Sequence, residues 1–522
     1  MMSRLHTGIP LLLFLLSVII FGCISSEERP SDSEYPTGQF TLYLNGPDKA
    51  FEDITFDLSS INVLSEEGLS RELTNTPLTV NSQDISGRQV LLSEKSLPEG
   101  RYVTIRMFLS GAALIKNGRM ATLALPREAI EVPISAVIEH NRNTSVFIHW
   151  EPDASIVDSY LFSPALTSRG QVPELSSLLI YVTNEGSNNV SVINRKTNTV
   201  VASILVGERP RGIAVSKNGE RLRVYVANSG SNNIAVINPT TNRIENEVPI
   251  RFGKGPEGIA VARISSGREF VFVTNYDSNS LSVINAVTLQ EVEKIDVGIG
   301  PIVVAADPPV SLLAHSRSLT ADEMNTLKNF RQSFFNVYVV NQHSNTVSIV
   351  RMDNASGTKV DVTTLDVEWE PVGLSVDYPR GKVYVANYGS DKLSVIDILE
   401  IIKGNTSGAV TVINNVGKGV TGVIPDTIFE RIYLLKDFPG EIMILRAFGK
   451  GFESIGSVLT PIMGTIPVGQ APRSLLLDPE KRTLYVVNSE SDSVSVVDKT
   501  TKRQVKRIPV GRKPYGIAMF PE

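Results

Sequence analysis

Cysteine is nearly absent from this chain of 522 residues, which holds one, Cys23. A single thiol excludes an internal disulfide framework, a Cys-ligated zinc site, an iron–sulfur cluster and CxxCH haem attachment. Histidine is almost as scarce. His6, His140, His149, His315 and His343 are too few for a His-rich copper or zinc centre. The formal net charge of −5 gives no electrostatic footprint for nucleic acid. No segment beyond the N-terminus reaches the ~18 consecutive apolar residues of a spanning helix. What remains is a globular composition, 42% hydrophobic and 20% charged. At roughly 100–200 residues per domain, the length fits about two to four domains, or one large repeat architecture with a smaller companion.

The N-terminus accounts for the cysteine. Arg4 precedes an apolar run from Ile9 to Phe21, broken only by Pro10 and Ser17. That run is too short to span a bilayer and right for a signal-peptide core. It ends Ile20-Phe21-Gly22-Cys23, which resembles the lipobox of bacterial lipoproteins, with Phe21 bulkier than that pattern prefers. The resemblance implies cleavage after residue 22 and lipid attachment at Cys23. The protein is then anchored to a membrane of the bacterial cell envelope rather than spanning it. An ordinary secretory signal with an incidental cysteine is the plainer alternative. The stretch from Ile24 to Gly38, rich in Ser, Glu, Asp and Pro, reads as a solvated tether.

From Gln39 apolar residues alternate. Phe40–Leu44, Ile54–Leu58, Ile61–Leu64, Val90–Leu92, Tyr102–Leu109, Ala121–Leu125, Ile130–Ile134 and Thr144–His149 read as short strands. Asn45-Gly46, Pro98-Glu99-Gly100 and Asn117-Gly118 supply turns. The spacing predicts a β-sandwich. Two passages, Leu97 to Arg106 and Val146 to Ser155, resemble the domain of unknown function 4382 of secreted bacterial lipoproteins, with Trp150 and Glu151 departing from its pattern. That resemblance implies no chemistry. His149, Glu151 and Asp153 would share a strand face, but Pro152 interrupts the strand, so a metal role is not expected.

The rest of the chain repeats. Leu179-Ile-Tyr-Val-Thr-Asn184 recurs as segments ending at Asn228, Asn275, Asn341, Asn387, a degenerate Lys436, and Asn488, at steps of 44, 47, 66, 46, 49 and 52. Each unit carries four strand signals: a (Gly-Ile-Ala-Val), b (Tyr-Val-x-Asn), c (Ser-Val-Ile-Asn/Asp) and d (ending Val-Gly). These residues resemble the YVTN family of β-propeller repeats over roughly residues 177–520. Four strands per ~45 residues is one propeller blade. The region opens on a b strand and closes on an a strand, Tyr515 to Phe520. The chain end should therefore complete the first blade and close a seven-bladed ring without an open edge. The expected organisation is a signal peptide (1–22), a tether (23–38), a β-sandwich-like domain (39–165) and a seven-bladed β-propeller (177–522), an all-β fold. The repeated Asn should cap turns and tolerate αL, and the small residues of strand a should let blades converge. An insert in the fourth unit contains a capping box, Thr320-Ala-Asp-Glu323. It predicts a helix from Ala321 to about Arg331 with Met324, Leu327 and Phe330 on one stripe, which either covers the scaffold, the preferred reading, or serves as a docking element.

The resemblance implies that the d–a and b–c loops share the face around the channel mouth. The d–a loops carry Arg209, Arg211, Lys254, Lys418, Arg473, Arg512 and Lys513 against Glu208, Glu257, Glu368 and Glu370. A locally basic mouth follows, with Trp369 and Tyr515 as stacking partners, suited to a carboxylate, phosphate or anionic glycan. A solvated rim is the bland alternative. Related propellers include lactonases, a streptogramin lyase and subunits of quinone-dependent amine dehydrogenases. Such chemistry needs His/Glu bases, a metal or a cofactor partner. His315 should face away from the mouth, and His343 reaches that face without a second histidine. No catalytic residue, metal or cofactor is therefore expected. The reading is a membrane-anchored binding or scaffold module for an envelope protein or an anionic ligand, with a propeller enzyme as the alternative. No nucleic acid partner is expected, and nothing in the sequence sets the oligomeric state.

Overall fold

The computed structural model describes residues 36–520 except 48, 127–128, 173–174, 219–220, 448–461, 479 and 481. The described residues from Thr37 onward form one compact unit. The first part pairs two sheets. Four strands lie in the order Ala165–Gly170, Asn143–Glu151, Thr37–Asn45, Gln89–Pro98, with Thr37–Asn45 parallel to Asn143–Glu151. A six-stranded sheet is built on Asp53–Ser65 and Gly100–Lys116. Asp53–Ser65 merges two expected strands into one, its register shifting around Leu58. Asn117 and Gly118 both take positive φ, as a tight hairpin turn requires. Apolar side chains of both sheets fill one core around Phe56, Trp150 and Phe162, and the Trp150 indole donates to Ser155 Oγ at 2.9 Å.

Residues 179–519 make seven four-stranded antiparallel sheets in a propeller. We number the blades 1–7 in chain order. Blade 1 contains b (Leu179–Asn184), c (Asn189–Asn194) and d (Thr199–Leu205). Its a strand is Pro514–Met519, which pairs antiparallel with Leu179–Asn184 through Ile180↔Met519 and Val182↔Ile517. The seven a strands, Pro210–Asn218 in blade 2 through Pro472–Asp478 in blade 7 and back to Pro514–Met519, contact their neighbours in an unbroken ring. Small residues make this close approach possible. A Cβ on Gly212 would lie 2.4 Å from the Glu257 carbonyl oxygen of the next blade.

The repeated Asn behaves differently from the expectation. Asn275 and Asn488 have extended backbones, with φ of −110° and −112°. The αL residues stand four positions later, at Asn188, Asn232, Asn279, Asn345 and Asp492. The b-strand Asn is instead a buried clamp. Asn275 Nδ2 donates to Ser280 Oγ at 3.1 Å and Ser282 Oγ at 2.7 Å on its own c strand. The bond to the serine seven positions on recurs from Asn184, Asn341 and Asn488. A Gly just past a d strand is its counterpart: a Cβ on Gly253 would meet the Asn275 amide of the next blade, and one on Gly511 the Asn184 amide.

The insert of blade 4 forms helix α1, Ala321–Ser333, with Thr320 and Glu323 closing the capping box. Leu327 is buried among Leu313, Tyr338, Tyr378 and Leu399, so the helix covers the scaffold. A short helix α2, Ile398–Lys403, adjoins it.

The N-terminal sandwich packs on the seam between blades 1 and 7. Tyr43 and Phe147, stacked at 5.4 Å, share a core with Ile180, Val200, Tyr485 and Ile508. Gln89 bonds Val200 both ways, accepting from its amide at 2.9 Å and donating to its carbonyl at 3.1 Å. Glu94 accepts from Ser187 Oγ at 2.6 Å and from the Asn189 amide.

Candidate functional site

Each turn from a d strand into the next a strand carries an αL residue just before the a strand: Arg209, Gly255, Gly300, Glu370, Gly419, Ala471 and Lys513 in order, with Asn415 and Gly417 also at positive φ in the turn out of blade 5. The residues following each b strand bond their amides to this turn. Glu185 and Gly186 donate to Lys513 and Arg512, Tyr276 and Asp277 to Gly255 and Lys254, and Tyr388 and Gly389 to Glu370 and Trp369. The d–a and b–c loops therefore lie on one face.

The repeat sorts that face into two rings. One residue before the αL position stand Glu208, Lys254, Ile299, Trp369, Lys418, Gln470 and Arg512, at the loop tips. Two residues after it stand Arg211, Glu257, Ile302, Val372, Thr421, Arg473 and Tyr515. All of these but Arg211 line the channel cavity of about 200 Å³, with Gly212, Ile213, Gly258 and Ile259. The inner ring is divided. Blades 7, 1, 2 and 3 supply Arg473, Tyr515, Arg211 and Glu257, and blades 4, 5 and 6 supply Ile302, Val372 and Thr421.

Of the nine candidate ligand residues, Arg211, Arg473 and Tyr515 reach the inner ring. Lys254, Trp369, Lys418 and Arg512 are exposed tips, and Arg209 and Lys513 are exposed αL residues. Arg211 and Tyr515 come together around a buried acid. Arg211 Nη1 donates to Glu257 Oε2 at 2.5 Å, Nη2 donates to Glu185 Oε1 at 2.9 Å, and the guanidinium lies 5.3 Å from the Tyr515 ring centroid. Tyr515 donates its hydroxyl to Glu257 Oε1 at 2.6 Å. Burial pushes the Glu257 carboxyl and the Tyr515 phenol above their usual ranges. For Glu257, the Arg211 charge opposes that push. Despite its own burial, Glu185 is held low by Arg211 and Arg209. Arg211 thus spends its charge on two carboxylates. Arg473 is exposed and makes no ion pair among the described residues. Arg512 stands in the field of Glu94 from the N-terminal sandwich.

The basic mouth expected from the d–a loops is offset on the assembled face. The b–c loops bring Glu185, Asp277, Asp391, Asp437, Glu490 and Asp492 against Lys392, so the face carries both signs. Glu257 was legible only as one negative charge of a loop. Its place at the offset occupied by Arg211, Arg473 and Tyr515 is the signal that marks it.

His343 lies on this face, its Nε2 2.7 Å from the Tyr276 hydroxyl. His315 lines a small pocket with Arg380 and Glu430, both on a–b connections. His149 pairs with Glu151 at 2.8 Å, while Asp153 accepts from the Phe51 and Glu52 amides. Among the described residues no group of three or more His, Cys, Asp or Glu is placed to hold a metal. No described helix is long and apolar enough to cross a membrane. Cys23 lies outside the described residues.

No family model matches the chain. A stretch of 37 residues, 7% of the chain, is 65% identical to a PE-PGRS family protein of Mycobacterium tuberculosis, and the match spans 8% of that relative's length. Among solved structures, a protein of unknown function from Desulfotomaculum acetoxidans is 12% identical, with a TM-score of 0.51 over 66% of this chain and 100% of that one. Hydrazine synthase of Kuenenia stuttgartiensis is 16% identical, with a TM-score of 0.47 over 62% of this chain and 93% of that one. A candidate 6-phosphogluconolactonase from Bacteroides fragilis is 14% identical, with a TM-score of 0.47 over 67% of this chain and 100% of that one. At such identities the likeness is one of fold.

Proposed function

We propose that the protein is a cell-envelope lipoprotein of the YVTN-repeat type, anchored through Cys23, whose propeller is a binding module. Its ligand presents an acidic group to the channel mouth. The observation carrying this reading is the divided inner ring. Arg473 is an unspent cation beside Tyr515, facing the apolar Ile302 and Val372 across a cavity of about 200 Å³. A space that small takes the end of a ligand rather than a whole drug-sized molecule. The Arg211–Glu257–Tyr515 cluster holds the Tyr515 ring in place, and Glu257 has both oxygens engaged, which favours binding over catalysis.

The test is thermal unfolding of residues 24–522 with a panel of small carboxylates and sugar phosphates. A bound anion present at 100 times its Kd should add about 2.7 kcal/mol of stability. Arg473→Ala should abolish that gain. A gain that survives in Arg473→Ala, or no gain with any anion, sinks the reading. For the anchor, Cys23→Ser should release the expressed protein from the membrane fraction, and continued membrane association would count against lipidation.

A further inference from the structure

Glu94, on strand Gln89–Pro98 of the N-terminal sandwich, reaches the b–c loop of blade 1. Its two oxygens accept from Ser187 Oγ at 2.6 Å and from the Asn189 side-chain amide. Ser187 Oγ in turn accepts from the Arg512 backbone amide at 2.7 Å. Arg512 belongs to the d–a loop that leads into Pro514–Met519, and so to Tyr515 of the inner ring. The backbone ties the same two loops together. Gly186 donates to the Arg512 carbonyl and Glu185 to the Lys513 carbonyl, both at 2.9 Å. The Glu185 carboxylate carries the chain on to Arg211.

The repeat shows which part of this arrangement is particular to blade 1. In four other blades the loop-tip amide also donates to the serine three positions after the b-strand Asn. Glu208 bonds Ser231, Lys254 bonds Ser278, Ile299 bonds Ser344 and Gln470 bonds Ser491. The hydroxyls of Ser278 and Ser344 turn to Ser280 and Thr346 of their own loops. Ser187 gives its hydroxyl to the sandwich instead.

A carboxylate only accepts. Glu94 therefore holds the Ser187 proton towards itself and leaves a lone pair of Oγ for the Arg512 amide. A side-chain amide in its place would both donate and accept, and would not fix the hydroxyl. Attachment of the sandwich does not require the charge. On the same strand, neutral Gln89 bonds Val200 both ways. Burial pushes the Glu94 carboxyl above its usual range, a cost that attachment by a second Gln would avoid.

We propose that Glu94 is a positioning residue of the channel mouth. Through the Ser187 hydroxyl it fixes the loop that carries Arg512 and Tyr515, which makes the N-terminal sandwich a working part of the binding module. This rests on the mouth being the ligand site.

Hydrogen exchange of residues 24–522 at the Arg512 amide, without ligand, and titrations with citrate and glucose 6-phosphate test it. Glu94→Gln should lower protection of the Arg512 amide about tenfold and weaken anion binding about fivefold. Ser187→Ala should do the same. The two changes together should do no more than either alone, because both cut one chain. Gln89→Ala is the control for attachment. It should lower the unfolding midpoint and leave Arg512 protection and anion affinity unchanged. Arg512 and Asp492 of the propeller and Tyr43 of the sandwich face Glu94. Protection of Arg512 in the wild type should fall as the pH is lowered through the Glu94 titration. Glu94→Gln should remove that dependence while the other groups remain. Arg512 protection untouched by Glu94→Gln, or lost equally in Gln89→Ala, overturns the proposal. So does anion affinity that is undiminished in Glu94→Gln. If the wild type binds neither anion, the reading of the mouth fails separately, and exchange at Arg512 still decides for or against Glu94.

Discussion

A Gly and an Asn about twenty residues apart form the smallest unit that holds neighbouring blades together. Gly253 lies in the loop that follows the d strand of blade 2, and Asn275 ends the b strand of blade 3. A Cβ on Gly253 would fall 2.2 Å from Asn275 Nδ2, the atom that clamps Ser280 and Ser282. Asn275 is buried and cannot swing aside without leaving polar atoms unpaired. Gly253→Ala should therefore cost about 2–3 kcal/mol in urea unfolding, an overpacking penalty with a strained clamp added. Gly170→Ala, where nothing lies within 4 Å, should change stability by less than about 0.5 kcal/mol. Equal effects at the two sites would remove the pairing from the account. Both halves of the motif stand in the sequence, but their meeting does not, because the partners belong to different blades. The Asn therefore reads from sequence as a turn residue, whereas its backbone is extended and αL falls four positions further on.

Elements with strong local codes were the most legible. Helix α1 is written in its capping box. Thr320 Oγ1 accepts from the Glu323 amide, and Glu323 Oε2 accepts from the Thr320 amide at 2.8 Å. Thr320→Ala should cost about 1 kcal/mol, and it should appear as faster hydrogen exchange at the amides of the first turn. Unchanged exchange at Glu323 would mean that packing of Leu327, rather than the cap, holds the helix start. Helix α2 has an equally sound cap, with Asp397 accepting from the Leu399 amide at 2.9 Å. Its six residues are too few for a helical period to show in the sequence. Asp53–Ser65 failed the other way. Ser59 and Ser60 break the alternation on paper, while a bulge carries the strand through them.

At the scale of the molecule, function and stability both depend on closing the ring. Glu257 and Tyr515 are 258 positions apart, and their 2.6 Å contact exists only because Pro514–Met519 returns to blade 1. No local pattern reports such a meeting, which is why the loops around the mouth were legible and the cluster around Glu257 was not. Closure also seals the exposed edge of Leu179–Asn184. It is reinforced by Gly516 N donating to Thr183 Oγ1 at 2.8 Å and by the buried Arg195–Asp478 pair at 3.3 Å between blades 1 and 7. The N-terminal sandwich lies over this seam through Tyr43, Phe147 and Gln89, acting as a clasp. Removing residues 511–522 strips the a strand from blade 1 and unpacks Gly511 from Asn184. The shortened chain should lose its sharp thermal transition and self-associate through the bared strand in sedimentation or light scattering. If the clasp alone can hold the seam, the truncated protein will instead remain monomeric with an unchanged midpoint, and closure by the last strand will not be what stabilises the ring.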